Sequence, residues 1–271
     1  MSVELAIDKR AVRNSFGAAA DSYDGVAALQ RQVGEMLHAN IDRPMLQRSR
    51  VLDVGCGTGF LTGKLSADCQ QLLALDIALP MVGKTRAGLI DQTNIDYLCA
   101  DAEALPLSTN SVDCIVSNLS LQWCQDLESV FNEFRRVLSA QGQLRFSTFG
   151  PNTLKELKTA WAKVDGYAHV NDFYQGEQLK RSLAQAGFKN IRVKTEMSVS
   201  NYSTVSDLMR ELKGIGAHNV NQGRFRSLTG KTRMQKMIRN YEDFRYQSLI
   251  PATFEIIFVE AEAGTEGTAY P

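Results

Sequence analysis

The chain has 271 residues, of which 44% are hydrophobic and 22% are charged, and its formal net charge is zero. These values are typical of a soluble globular protein built as one large α/β domain or two small ones. The sequence has no apolar run of the roughly 18 residues that cross a membrane and no secretory signal, so we expect a cytoplasmic protein. Five cysteines without a C-x-x-C pair, and only three histidines, argue against a disulfide framework or a metal site.

Residues 1–46 are predicted to be helical. Apolar residues recur at helical spacing around Val12 and Phe16, and again over residues 26–36. Because these helices precede the first predicted strand, we interpret them as a cover over a ligand crevice. Tyr23 either lines that crevice or is an ordinary half-buried aromatic residue.

Residues 51–62, VLDVGCGTGFLT, have the pattern of a buried strand that passes through a tight turn into a helix. Gly55, Gly57 and Gly59 can adopt backbone angles that other residues avoid, and without Cβ atoms they allow a ligand to lie against the main chain. A dinucleotide would also suit such a turn, although its motif, G-x-G-x-x-G, places the third glycine one residue later. Asp53 favours S-adenosylmethionine, because its carboxylate would repel a pyrophosphate and attract the α-ammonium and sulfonium groups. The alternative is a plain strand-to-helix turn with Asp53 as a helix cap.

The next two predicted strands each lead to an acidic residue. Residues 72–75 form a strand that ends at Asp76, about 20 positions after the glycines, where a carboxylate can accept hydrogen bonds from both ribose hydroxyls. Asp76 can also cap the helix that follows. Residues 95–99 form a strand followed by Asp101 and Ala102, which we expect beside adenine, with Asp101 accepting a hydrogen bond from the exocyclic amine.

Residues 112–116 predict the fourth strand, and residues 117–123 form the segment at its carboxyl end, where parallel strands bind ligands. We therefore expect Asn118 to contact the cofactor and Gln122 to line the crevice. An amphipathic helix follows, and then a fifth strand at residues 144–149, so the alternation of helix and strand continues. This alternation with short connections predicts a doubly wound, mostly parallel sheet of the α/β class.

The pattern becomes less regular after residue 150. Two more strands, residues 191–199 and 248–260, bring the expected total to seven, and a helical insertion over residues 201–246 separates them. We expect a single domain over residues 1–262 and a disordered tail over residues 263–271.

Together these motifs resemble those of the class I S-adenosylmethionine-dependent methyltransferases over residues 1–200. A narrower resemblance, to the malonyl-[acyl-carrier protein] O-methyltransferases, covers nearly the whole chain. It rests on residues 211–231 (ELKGIGAHNVNQGRFRSLTGK), 15–24 (SFGAAADSYD) and 121–123 (LQW). The resemblance implies methyl transfer from S-adenosylmethionine, leaving S-adenosylhomocysteine, to the free carboxylate of a malonyl thioester on acyl carrier protein or coenzyme A. The methyl ester would prime pimeloyl and biotin synthesis.

This chemistry requires alignment of the reactants more than proton transfer. A malonyl carboxylate is already ionised at neutral pH, so we expect no general base and no metal. Something must hold the carboxylate, and the candidates for positioning it are Tyr23, Gln122, Arg210 and His218. The latter two belong to the insertion and are expected to face the pocket.

The insertion is strongly basic. Residues 210–239 contain eight lysines and arginines against a single acidic residue, Glu211. Acyl carrier proteins are acidic, so this surface would attract one, and we expect Lys213, Arg224, Arg226 and Lys231 to meet it. The alternatives are a solvated face or a nucleic-acid patch.

Three other functions remain open from the sequence. The same core could methylate a free small carboxylic acid or a quinone-type molecule, or it could bind S-adenosylmethionine without catalysis. A nucleic-acid methyltransferase is disfavoured, because amino-group enzymes of that kind place an Asn/Asp-Pro-Pro-aromatic turn after the fourth strand. Residues 118–121 here read NLSL.

Overall fold

The computed structural model describes residues 7–216 and 230–264. Its strands are β1 (Arg50–Val54), β2 (Gln71–Asp76), β3 (Ile95–Cys99), β4 (Val112–Asn118), β5 (Leu138–Phe149), β6 (Phe188–Tyr202) and β7 (Ile250–Ala263). Its helices are α1 (Lys9–Ala19), α2 (Tyr23–Val26), α3 (Ala28–Ala39), α4 (Arg43–Leu46), α5 (Phe60–Asp68), α6 (Leu79–Gly88), α7 (Leu127–Val137), α8 (Lys155–Ala162), α9 (Gly176–Gln185), α10 (Val205–Gly214) and α11 (Lys231–Tyr241).

The strands form one sheet in the order β3-β2-β1-β4-β5-β7-β6. The pairs among β1 to β5 are parallel, and β7 is antiparallel to both β5 and β6. The predicted seven-stranded, mostly parallel α/β sheet is therefore confirmed. Of the helices in the described part of the chain, none is long and apolar enough to span a bilayer.

Helices cover both faces of the parallel strands, which explains why those strands are apolar along their whole length. In β1 every residue after Arg50 is buried. On one face α7 packs Phe131 against Phe146 of β5, with ring centroids 5.9 Å apart. On the other face Leu61 and Leu65 of α5 belong to the same buried cluster as Val51. With both faces covered, the carboxyl edge of the parallel strands is where the loops can form a ligand site.

The antiparallel pair β6 and β7 is longer than the sequence predicts. The two strands pair from Phe188 with Ala263 to Tyr202 with Ile250. Each residue added to one strand forms hydrogen bonds with the neighbouring strand, so pairing lengthens both strands. Their outward-facing positions are polar, and the strand ends are therefore not apparent from the hydrophobic pattern of the sequence. The predicted disordered tail thus overlaps β7, because Ala263 is buried within the sheet; residues 265–271 lie outside the described residues.

The N-terminal helices lie over the carboxyl edge of the sheet. Asp8 caps the start of helix α1: its side chain accepts hydrogen bonds from the main-chain N–H groups of Arg10 and Ala11. Phe16 of α1 packs edge-to-face on Trp123 after β4, with centroids 5.3 Å apart. The aromatic contact therefore joins the cover to the loop that follows the fourth strand.

The described part of the insertion packs against this cover. Helix α10 starts with a capping box formed by Thr204 and Asp207. At its other end, the Ser15 hydroxyl of α1 donates a hydrogen bond to the carbonyl oxygen of Gly216 (2.9 Å). Helix α11 instead rests on α8, where the Asn240 amide donates to the carbonyl oxygen of Ala160 (3.1 Å). The end of α10 thus lies against the cover.

Candidate active site

Two adjoining cavities lie at the carboxyl ends of the parallel strands. The main cavity has a volume of about 90 Å³ and the side cavity about 40 Å³. Tyr23, Gly55, Gly57 and Asn118 line both, so the two form one site around the glycine turn. The main cavity is also lined by Phe16, Asp76, Asp101, Ala102 and Trp123, and the side cavity by Asp24, Arg31, Asp53 and Thr58.

The three glycines of the turn have positive φ angles, of 76° at Gly55, 56° at Gly57 and 94° at Gly59. A Cβ atom on Gly55 would lie 2.3 Å from Cβ of Ser120, and one on Gly59 would lie 2.9 Å from Cγ2 of Thr85. A Cβ atom on Gly57 would meet nothing within 4 Å. Gly55 and Gly59 are therefore required by packing, whereas the space beside Gly57 is open to a ligand.

Asp53 lies on the floor of the side cavity. It is 1% exposed, and its carboxylate accepts a hydrogen bond of 2.7 Å from the Thr62 hydroxyl on α5. Burial raises the pKa of Asp53 to about 7, with a smaller contribution from the negative charge of Asp76. The side chain is thus poised to ionise when a cationic group lies beside it.

Asp76 ends β2 and faces the main cavity. Its two carboxylate oxygens accept hydrogen bonds from the main-chain N–H groups of Gly57 (3.0 Å) and Ala78 (2.8 Å). Burial raises the pKa of this carboxyl group. The bond to Ala78, the residue before α6, shows that Asp76 both supports the start of that helix and keeps the glycine turn in place. Each oxygen retains a second lone pair for a ligand.

Asp101 is held by a lysine that the sequence did not indicate. The ammonium group of Lys9, at the start of α1, lies 2.7 Å from a carboxylate oxygen of Asp101 and 2.6 Å from one of Glu103. Glu103 also accepts a hydrogen bond from the main-chain N–H of Gln125 (2.7 Å). These contacts join the cover, the loop after β3 and the start of α7 at one end of the main cavity, beside buried Ala102.

Asn118 and Tyr23 stand between the two cavities. The Asn118 side chain accepts a hydrogen bond from the Ser147 hydroxyl (2.8 Å) and donates one to the carbonyl oxygen of Gln30 (2.9 Å). Tyr23 is half-buried on α2, and burial raises the pKa of its phenol well above the ordinary value. At neutral pH the phenol of Tyr23 is therefore protonated, so it can donate a hydrogen bond but cannot act as a base.

Two residues expected in the pocket lie elsewhere. The amide of Gln122 is buried, where it donates to the carbonyl oxygen of Leu119 (2.6 Å) and accepts from the Thr148 hydroxyl (3.2 Å). Its polar atoms are thus used inside the protein. The Arg210 side chain is 73% exposed and pairs with Asp207 on the same helix (2.7 Å). We correct both expectations: Gln122 supports the loop after β4, and Arg210 faces solvent.

The remaining candidates belong to the insertion. Lys213 and Lys231 are exposed, near the end of α10 and at the start of α11. His218, Arg224 and Arg226 lie outside the described residues. Within residues 7–216 and 230–264, no cluster of three or more His, Cys, Asp and Glu side chains has the arrangement of a metal site.

The charges of the site are mainly acidic. The main cavity combines Asp76, Asp101 and Glu103 with Lys9, and the side cavity combines Asp24 and Asp53 with Arg31. In so small a space, an anionic pyrophosphate would meet repulsion from several carboxylates, whereas a cationic ligand would be attracted. The charge balance thus agrees with the choice of cofactor made from Asp53.

Comparison with known proteins defines the class. Residues 52–146 match a family described as a methyltransferase domain. The fold is similar to that of phosphoethanolamine N-methyltransferase 2 of Haemonchus contortus, solved with phosphomonomethylethanolamine and S-adenosylhomocysteine. The TM-score is 0.58 at 14% identity, and the match covers 93% of this chain and 60% of that chain. The fold and the matched domain define a class I methyltransferase, a class that uses S-adenosylmethionine as methyl donor.

Comparison along the whole chain narrows the assignment. The chain is 41% identical to the malonyl-[acyl-carrier protein] O-methyltransferase of Methylovorus sp. (strain MP688), over 94% of this chain and 89% of that protein. It is also 41% identical to the biotin biosynthesis bifunctional protein BioHC of Cellvibrio japonicus, over 95% of this chain and 51% of that longer protein. The chain belongs to the family of malonyl-[acyl-carrier protein] O-methyltransferases.

Proposed function

We propose that this protein transfers the methyl group of S-adenosylmethionine to the free carboxylate of a malonyl thioester on acyl carrier protein. The product, a malonyl methyl ester, would prime pimeloyl and biotin synthesis. The observation that carries the proposal is the 41% identity to the Methylovorus enzyme over 89% of that protein's length. A similarity of this extent includes the insertion as well as the methyltransferase core.

The residues of the site fit the cofactor. The open space beside Gly57 accepts a ligand against the main chain. Asp76 has lone pairs available for the ribose hydroxyls. Asp101 and Ala102 line the same cavity, where Asp101 would accept a hydrogen bond from the adenine amine. Asp53 would face the α-ammonium group. When bound, S-adenosylmethionine supplies an electrophilic methyl group, and the protein's task is to hold the acceptor in line with it.

The acceptor needs no base, because a carboxylate is ionised at neutral pH. The protonated phenol of Tyr23 supports this assignment, since it can donate a hydrogen bond to an anion but cannot remove a proton. Phe16 and Trp123, in contact above the main cavity, would exclude water from the approaching carboxylate. Partial desolvation raises the nucleophilicity of such an anion.

The raised pKa of Asp53 predicts a pH dependence of cofactor binding. Without ligand, Asp53 is protonated below about pH 7, whereas an adjacent ammonium group favours its ionised form. Binding below that pH therefore releases a proton, so affinity should rise with pH up to about 7 and then level off. We expect the Kd of S-adenosylhomocysteine, titrated calorimetrically, to fall about tenfold between pH 5.5 and 8.

The Asp53→Asn variant is the control for this effect, because it has no carboxyl group to titrate. Its Kd should be higher and independent of pH over the same range. A wild-type Kd that stays constant, or that rises with pH, would contradict the placement of the ammonium group beside Asp53.

The substrate is tested by offering three acceptors with radiolabelled S-adenosylmethionine: malonyl-acyl carrier protein, malonyl-coenzyme A and free malonate. We expect kcat/KM to be highest for the carrier protein and at least about 100-fold lower for free malonate, which lacks the thioester arm. Transfer to free acids alone would replace the proposal with a small-molecule carboxyl methyltransferase. Tight cofactor binding with no transfer to any malonyl thioester would instead indicate a non-catalytic binding protein.

The exposed lysines of the insertion support a carrier-protein surface. Lys213 lies in the last turn of α10, whose end contacts the cover, and Lys231 begins α11. Reversing Lys213 and Lys231 to Glu should raise KM for malonyl-acyl carrier protein about tenfold at low salt and leave KM for malonyl-coenzyme A unchanged. The same reversal at Lys180 and Arg181, exposed on α9, is the matched control. Equal effects of both reversals would contradict a dedicated carrier-protein surface. From the sequence, we also propose Arg224 and Arg226 as members of this surface.

A further inference from the structure

A third cavity lies outside the active site, between the end of α3 and strands β5, β7 and β6. Its volume is about 310 Å³, more than that of the main and side cavities together, and it shares no lining residue with them. Met36, Leu37 and Asn40 of α3 form one wall. A cavity of this size is within the range of small-molecule sites.

Strand pairing places the charged groups of this third cavity on one face of the sheet. Glu260 of β7 is paired with Arg145 of β5 on one side and with Arg192 of β6 on the other. Two residues earlier on β7, Phe258 is paired with Lys194 of β6. Cross-strand partners share a face, and so do residues two apart on one strand. A row of charged side chains therefore lies next to an aromatic ring.

Arg145 is mostly buried, and its guanidinium is incompletely bonded. The side chain is 15% exposed, and Nη1 pairs with a carboxylate oxygen of Glu260 at 2.6 Å. Its other hydrogen bonds are long, 3.5 Å to the carbonyl oxygen of Asn40 and 3.4 Å to the side-chain oxygen of Gln143. Nε is buried and has no hydrogen-bond partner among the described residues. Because an unused buried donor is unfavourable, this guanidinium favours an additional acceptor.

The acidic residues of the third cavity do not balance its cations. Glu260 is shared between Arg145 and Arg192, whose Nη1 lies 3.7 Å from the second carboxylate oxygen. Glu196 pairs with Lys194 at 2.7 Å. The other residues that line the cavity are uncharged. Three cations thus accompany two carboxylates, and the cavity can accept one further negative charge.

The remaining wall of the third cavity is largely apolar. Leu37 is buried, and Met36 and Phe258 are half-buried. A ligand with an apolar chain would cover these side chains while its anionic end meets Arg145. A bare phosphate or sulfate would satisfy the arginine but would leave the apolar wall in water. The combination therefore favours a carboxylate that carries an apolar chain.

We propose that the third cavity is a second ligand site, which binds a small carboxylate with an apolar chain through the guanidinium of Arg145. This inference does not depend on the proposed methyl transfer. Helix α3 joins the two sites: near its start, the carbonyl oxygen of Gln30 accepts a hydrogen bond from Asn118 (2.9 Å), and near its end Met36 lines the third cavity. A ligand bound there contacts the helix that supports the active site.

The test uses octanoate as the probe. It is titrated into protein with isotope-labelled methionine methyl groups and an excess of S-adenosylhomocysteine, which occupies the proposed cofactor site. Met36 lines the third cavity and Met81 lines the main cavity, so their NMR signals report on the two places separately. We expect a saturable shift of the Met36 signal, with a Kd of about 1 mM or lower, and no shift of the Met81 signal.

Two other probes separate the charge from the chain. Octanamide has the same chain without the negative charge, and acetate has the charge without the chain. Each should bind at least about tenfold more weakly than octanoate, because one loses the charge-assisted hydrogen bond and the other loses the apolar contact. Octanamide that binds as tightly as octanoate would overturn the proposal, and so would a Met36 signal that does not move or a shift of Met81 alone.

Variants of the cavity are compared through the NMR signals of octanoate itself. Arg145→Gln should raise its Kd at least about tenfold. Met36→Trp, which fills space without changing a charge, should also weaken binding, and Lys194→Gln should weaken it a few-fold. The matched control is Lys180→Gln, because Lys180 is exposed on α9 and does not line the third cavity. It should leave the Kd unchanged.

The test remains decisive if one variant is unstable. Should Arg145→Gln not fold, Met36→Trp and Lys194→Gln still decide, since the Lys194 side chain is 73% exposed and its replacement leaves the core intact. Wild-type affinity in Arg145→Gln, or in both other variants, would show that octanoate binds elsewhere and would overturn the proposal. No methyl transfer is measured, so the outcome is independent of the proposed function.

Discussion

Replacing Gly57 by valine is expected to abolish cofactor binding while the protein stays folded. A side chain at this position meets no atom within 4 Å, and Gly57 lines both cavities, so the added methyl groups would occupy ligand space. The positive φ of 56° adds a backbone cost of about 1–2 kcal/mol. We expect the Kd of S-adenosylhomocysteine to rise more than about 100-fold, and Tm to fall by only a few degrees.

Two controls separate obstruction from strain. Gly57→Ala also places a side chain at a positive φ, but the side chain is smaller and lacks the β-branch that adds strain in valine. It should therefore lose less affinity and have a Tm at least as high. Gly83→Val, on α6 with no atom near the added group, should change neither. If Gly57→Val binds S-adenosylhomocysteine as well as Gly57→Ala does, the space beside this glycine is not part of the ligand site.

Replacing Gly55 by alanine should have the opposite effect, a large loss of stability. The new Cβ would lie 2.3 Å from Cβ and 2.5 Å from Oγ of Ser120, and the hydroxyl of Ser120 is held by the carbonyl oxygen of Val54 (3.0 Å). Overpacking and a strained φ together should lower the free energy of unfolding by about 3 kcal/mol or more. For a domain of this size, that corresponds to a Tm about 6–12 °C lower in calorimetry.

The double variant Gly55→Ala/Ser120→Gly tests the cause. Removing the Ser120 side chain leaves Cα of that residue 3.9 Å away, so the clash disappears and only the backbone strain remains. We expect the double variant to regain part of the lost Tm. A double variant less stable than Gly55→Ala alone would show that the contact with Ser120 is not what excludes a side chain at position 55.

The packing around the turn differs between neighbouring glycines of one motif, and the two predictions follow from that difference. The sequence marks Gly55, Gly57 and Gly59 alike, because each adopts a conformation that favours glycine. Only the packing of Ser120 and Thr85 against the turn separates the residues that the fold requires from the one that a ligand requires. A sequence motif of this kind therefore locates a site, but it does not tell which glycine the fold requires and which one the ligand requires.

Local patterns in the chain were enough to predict the sheet, the turn and the acids that follow the strands. An apolar run buried between helices is readable from its own residues, and the residue after it must lie at the carboxyl edge, so Asp76 and Asp101 could be placed without a structure. Strand ends were less predictable, because β6 and β7 extend through pairing with each other.

The cations of the site depended on the tertiary structure. Lys9 reaches Asp101 across 92 positions of the chain, and Arg31 enters the side cavity only because α3 packs beside the glycine turn; Arg210, chosen for its basic surroundings, pairs with Asp207 and faces solvent. The residues that directly follow a parallel strand lie at the carboxyl edge of the sheet, wherever the strand is placed. A long side chain on a covering helix is placed by how that helix docks, and the docking contacts are spread over the whole chain.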